Sequence, residues 1–252
     1  MNYLLTFKDW LTGNMGIPGE YQFTPIYWFT LLAVIIVFVV VLLLGLSKKI
    51  SNENKEKILK VIAIFQLSFE VIWRLIYLFV KKDHISCWWP LYPCNLGGII
   101  IPIIALTNST LGKKMFYLFG FVGACLTFAI PEGIFSTSVF VFPILKSVLQ
   151  HTGLLLIPIF EFTSKKFRPS LNYIGLVLLG CLIHLANSEG IVRLMGFDGD
   201  YMFFRSGMPF VIPGVPQFIT LSVFAILVLM LLSFLCDIKK SILFIKKLLR
   251  KA

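Results

Sequence analysis

Acidic residues are scarce: 12 Asp and Glu stand among 252 residues, and the four charged types together make up only 14% of the chain. Polar stretches long enough for a separate soluble domain are missing too, because apolar runs of about 20 residues, the length that crosses a bilayer core, recur along the sequence. This excludes a water-soluble globular protein and leaves one all-helical integral membrane domain over 1–252. The N-terminal stretch lacks a basic start followed by an apolar core and a small-residue cleavage site, so no cleaved signal peptide is expected. Solenoid repeats and low-complexity tracts are absent. The five cysteines are an odd number scattered along the chain, which excludes a full disulfide framework and leaves most of them as small apolar residues.

What is present is 58% hydrophobic. The runs predict seven membrane spans, at 23–46, 60–80, 90–106, 115–130, 139–162, 171–187 and 217–236. The fourth is short and the fifth holds two prolines and a lysine, so six spans plus a re-entrant segment is the alternative. The net charge of +11 comes from short clusters between apolar runs and not from a mixed polar face. It reads as a topology signal, with no nucleic-acid partner. Sixteen Lys and Arg fall in one set of alternate loops and five in the other, which puts the N-terminus outside and the C-terminus in the cytoplasm. The tail at 237–252, "KKSILFIKKLLRKA" at its core, fits a basic amphipathic helix on anionic lipid headgroups.

An ionisable group inside a span costs about 2.5–3.5 kcal/mol on insertion scales, so each such residue needs a partner or a purpose. In "FEVIWRLIY", Glu70 and Arg74 stand at i and i+4 on one helical face, the spacing of a structural ion pair. In "FPILKSVLQHTGLLLIPIFEF", Lys146, Ser147, Gln150 and His151 make a polar strip that must face protein or water. His184 and Asn187, in "CLIHLANSEG", stand near the external end of the sixth span. They line a headgroup site or simply hydrogen-bond at a helix end. His84, Cys87 and Cys94 offer metal-ligand spacing in "HISC" and beyond, but no fourth ligand is evident, and no metal or other cofactor is expected.

The third span opens on "WWPLYPCNLGG". Pro90 and Pro93 suit a first helical turn and Trp88, Trp89 and Tyr92 a membrane interface. Cys94 therefore lies at a helix N-terminus near the outer headgroups, where the helix dipole and unpaired N–H groups favour a thiolate and could hold an oxyanion. Gly97 and Gly98 leave the helix face beneath the sulfur bare, for close helix packing or for an acyl chain.

These stretches resemble the bacterial YwaF-like integral membrane proteins, related to vertebrate transmembrane protein 164. The likeness covers about residues 85 to 210. It rests on "WPLYPCN", on "VLQHTG" in a later span, and on "GFDGDYMFFRSGMP". Tyr92 stands where the family has His, and Asp200 where it has Asn. The resemblance implies a multi-pass protein of the bacterial plasma membrane and a cysteine-dependent phospholipid acyltransferase, with Cys94 as nucleophile and His151 as base. Asn95, Gly98, Gln150, Tyr201, Asp200, His184 and Asn187 are then the expected substrate-binding residues, and phospholipid and lysophospholipid the expected partners. Water as acceptor would make the protein a lipase; a transporter or lipid-binding protein is the non-enzymatic alternative. Counted along the two spans, Cys94 and His151 differ in depth by an amount on the order of 12 Å.

Overall fold

The protein is described by a computed structural model covering residues 7–13, 15, 24–81, 88–130, 134–135, 137–202, 212 and 214–249. Among these residues the fold is helical. A short α1 (Phe7–Thr12) is followed by α2 (Pro25–Leu46), α3 (Asn52–Lys81), α4 (Pro93–Thr107), α5 (Thr110–Ala129), α6 (Phe142–Thr163), α7 (Leu171–Leu194), α8 (Gln217–Cys236) and α9 (Ile238–Leu249). Six of them, α2, α3, α5, α6, α7 and α8, are long and apolar enough to cross a membrane. The remaining apolar helix, α4, has 15 residues, about 22 Å of rise. The protein is thus a multi-pass membrane protein, with six such helices and one shorter one among the described residues.

Boundaries follow from local chemistry. Pro25 occupies the first turn of α2, and Thr24 caps it by accepting from the Tyr27 N–H at 3.4 Å. Asn108, in the left-handed region at φ 52, ends α4, and Ser109 starts α5 by accepting from the Gly112 N–H. A buried lysine closes α2: Lys55 Nζ donates to the Gly45 carbonyl at 2.6 Å, the place where a cation meets the negative end of a helix dipole.

Helix α6 is the axle of the bundle. It packs against α1, α2, α3, α4 and α5, and 61% of its most apolar stretch is buried, against 17% in α2 and in α8. Those two peripheral helices present Phe29, Leu32, Leu43, Phe224, Leu227 and Leu231 outward, as lipid-facing helices do. Helices α5 and α7 are each interrupted by a π turn, at Lys113–Tyr117 and Ala186–Ile191. At the first of these α7 comes so close that a Cβ on Gly180 would strike the Met115 carbonyl.

Candidate functional site

Pro93 fills the first position of α4, Tyr92 precedes it in an extended conformation, and Cys94 is the second residue. The backbone N–H groups of Cys94 and Asn95 lie near the sulfur, that of Asn95 donating to the Tyr92 carbonyl at 3.0 Å. The thiol donates, over a long 3.8 Å, to Asn95 Oδ1, and Lys146 Nζ of α6 donates to the same oxygen at 3.0 Å. An ammonium and a thiol therefore share one acceptor at the head of the helix, with Glu70 near enough to act on the same sulfur.

One turn along α4, Gly98 admits a polar knot. A Cβ there would stand 2.5 Å from Glu70 Oε1 and 2.9 Å from Gln150 Nε2. The Glu70 carboxylate accepts from Gln150 Nε2 at 2.7 Å, Gln66 Nε2 at 3.2 Å and Trp73 Nε1 at 2.9 Å, and it pairs with Arg74 Nη1. Glu70 and Gln150 are fully buried and Arg74 nearly so. Each of the two carboxylate oxygens accepts from two donors, which offsets the cost of burying the group. The room beneath Cys94 is thus filled by the protein itself: Glu70 and Gln150 occupy the space at Gly98, and Leu154 approaches to 3.3 Å of where a Gly97 Cβ would stand. Trp73 adds a stack, with the Arg74 guanidinium carbon and Lys146 Nζ each 4.3 Å from its ring centre. Leu11 of α1 and Phe142 pack over it.

The polar strip on α6 divides between two faces. Lys146 and Gln150 turn toward α3 and α4, whereas His151 turns toward α5, its ring 6.2 Å from that of Phe128. His151 Nδ1 lies 2.7 Å from the Ser147 carbonyl. A carbonyl only accepts, so Nδ1 carries the proton and Nε2 is left as the basic atom. No hydrogen bond joins His151 to Cys94 among the described residues. Helix α6 starts at Phe142, three residues later than the sequence placed its span, but the two helices are offset so that Gly97 and Gly98 of α4 meet Leu154 and Gln150. His151 is accordingly about one turn deeper than Cys94, ~5 Å.

Apart from His184, the other expected site residues sit around this centre. Tyr92 meets Tyr201 edge to face at 5.0 Å. Burial, with Tyr201, Cys94 and Asp200 close by, holds the Tyr92 phenol above its ordinary pKa, so the group stays a neutral hydroxyl. The two positions that depart from the family pattern, Tyr92 and Asp200, are therefore neighbours. Asn187 is a tether: it accepts from Trp89 Nε1 at 3.0 Å and donates to the Pro90 carbonyl at 2.6 Å, while Ser188 donates to the Leu91 carbonyl. This pins the segment ahead of Cys94 to the π turn of α7. His184 lies apart, in the seam between α7 and α5 against Phe116 and Phe119. His84 and Cys87 are outside the described residues.

Four participants were missed in the sequence. Gln66 stands one turn before Glu70 on the same face, a spacing that could have exposed it. Trp73 offered no signal. Lys113 and Glu161 form a second buried pair, 2.8 Å apart, with Lys113 also donating to Asn108 Oδ1 at 2.5 Å.

Among known families, the model of the TMEM164 family matches residues 22–234. No curated protein and no solved structure matches the chain.

Proposed function

The chain belongs to the TMEM164 family, and from that premise we propose that it moves acyl chains between membrane phospholipids through a thioester on Cys94. The observation that carries this reading is the placement of the thiol: second residue of a helix, near two backbone N–H groups, sharing an acceptor with the Lys146 ammonium. The Lys146 ammonium and the Cys94 N–H are placed to stabilise the oxyanion that the sulfur's attack creates.

In the proposed cycle His151 Nε2 takes the thiol proton through the substrate or a bridging water. The sulfur attacks an ester carbonyl, the C–S bond forms, and the ester C–O bond breaks. The lysophospholipid leaves with the proton. The hydroxyl of a second lysophospholipid then gives its proton to His151 and attacks the thioester, which restores the ester and the thiol. Water in that second step yields a free fatty acid and makes the protein a lipase. Tyr92, Tyr201, Asp200 and Asn95 stand at the headgroup end, in the outer leaflet of a bacterial plasma membrane, while the lysines of α9 rest on anionic headgroups at the cytoplasmic face.

The test uses the purified protein in lipid nanodiscs with acyl-labelled phospholipid and unlabelled lysophospholipid. The expected result is hydroxylamine-sensitive label on Cys94 and transferred acyl chains, both lost in Cys94→Ala, with label formation strongly slowed in His151→Ala. A folded protein that neither takes up label nor differs from Cys94→Ala would sink the reading and favour lipid binding or transport.

A further inference from the structure

Arg74 is held by one nitrogen. Its Nη1 donates to the Glu70 carboxylate and, at 2.7 Å, to the Glu70 backbone carbonyl. Its Nε and Nη2 are buried with no partner among the described residues, and the whole residue is only 4% exposed. A guanidinium is planar and trigonal, so Nε and Nη2 form the edge that points away from Nη1. That edge carries two parallel N–H donors, the fork that pairs side-on with two oxygens of a phosphate or carboxylate. Lysine would serve Glu70 as a point charge and leave no such pair behind. A buried donor pair without a protein partner is costly to keep, which singles it out from an ordinary ion pair.

Its position gives the donors an address. Glu70 Oε1 occupies the space beside Gly98. Arg74 is one turn beyond Glu70 on α3, and Cys94 is one turn before Gly98 on α4. Because successive helices run in opposite directions, both steps lead toward the same end of the bundle, and Arg74 comes out at the depth of Cys94. Trp73 spans the gap, its ring contacted by Arg74 and by Lys146, whose ammonium reaches the Asn95 oxygen beside the sulfur.

We propose that the Nε/Nη2 edge of Arg74 binds the phosphate of the glycerophospholipid whose ester meets Cys94. The identity of this lipid rests on the acyl-transfer reading; the anion site itself does not. Only glycerol carbons separate the phosphate from the ester carbonyls, so a phosphate fixed at this depth sets an ester within a turn of the sulfur. The ligand chemistry is a pair of anionic oxygens, which a lipid phosphate, free phosphate or a fatty-acid carboxylate could supply.

Binding is measured on full-length Cys94→Ser, which forms no ordinary thioester intermediate, with phosphatidylglycerol, diacylglycerol of the same chains, oleate and inorganic phosphate as separate probes, read by native mass spectrometry. Phosphatidylglycerol is expected to bind at least about tenfold more tightly than diacylglycerol. Arg74→Lys, which keeps a cation for Glu70 but removes the fork, is expected to erase that preference. Should Arg74→Lys fail to fold, Glu70→Gln/Arg74→Gln, which removes both charges together, is expected to show the same loss. Unchanged phosphatidylglycerol preference in the folded variant overturns the inference, as does equal binding of diacylglycerol. Arg74-dependent binding of oleate or inorganic phosphate as tight as that of phosphatidylglycerol overturns the phospholipid assignment. Arg74-dependent lipid binding without any acyl label on wild-type Cys94 would retire the acyl-transfer reading and leave the anion site standing; label on Cys94 with Arg74→Lys binding as before would do the reverse.

Discussion

Gly98 has no room for a methyl group. Alanine there would press its Cβ onto the Glu70 carboxylate and the Gln150 amide, neither of which can move without giving up a buried hydrogen bond. Gly98→Ala is expected to lower stability by about 1–3 kcal/mol, visible as a drop in the unfolding midpoint of the purified protein. Gly123→Ala is the control: nothing lies within 4 Å of its Cβ position, and helix propensity alone should leave it neutral or up to about 1 kcal/mol more stable. Equal effects at the two positions would contradict the packing described. At this scale the Glu70–Arg74 pair was legible because its two members are one helical turn apart. Gln150 was legible as a buried polar residue but not as the partner of Glu70, because the two are 80 residues apart in sequence. Sequence spacing reports neighbours on one helix and is silent about the facing one.

Helix α5 shows how a local pattern can mislead. Lys113 and Lys114 read as a basic loop, the usual mark of a cytoplasmic turn, yet Lys113 is the first residue of the π turn and its side chain is buried against Glu161 of α6. Charge at the end of a span serves topology or packing, and only the fold distinguishes the two. Breaking such a pair strands one charge. Lys113→Met is expected to cost about 3–5 kcal/mol, and Lys113→Met/Glu161→Gln to recover most of it. A double-mutant cycle on the unfolding midpoint measures this, and additive losses would show that the pair is not coupled. The spans themselves were largely legible, since hydropathy reads lipid-facing helices directly. The end of α7 was not: the sequence stops the span at 187, whereas the helix continues through its π turn to Leu194. A π turn leaves no periodicity to read.

Across the whole molecule the lysine-rich turns gather at the end opposite Cys94, and α9 joins them there. Ser241 fixes α9, accepting from the Leu171 N–H and donating to the Ser233 carbonyl, while Ile238, Ile242, Ile245 and Leu249 form an exposed apolar stripe flanked by lysines. The charge asymmetry predicts that this end is cytoplasmic. A fluorescent protein fused to the C-terminus should therefore fold and fluoresce, and an alkaline phosphatase fused there should stay inactive; the opposite pair of results would invert the topology and move Cys94 to the inner leaflet.

The burial of α6 also bears on how the protein is made. Lys146, Gln150, His151 and Glu161 would each be expensive for a lone helix in lipid. The cross-helix partners of Lys146, Gln150 and Glu161 are Asn95, Glu70 and Lys113, all earlier in the chain. By the time the ribosome delivers α6, the groups that receive those three side chains have already been synthesised. The order of the sequence thus matches an order of insertion, in which this polar helix enters a bundle already prepared to hold it.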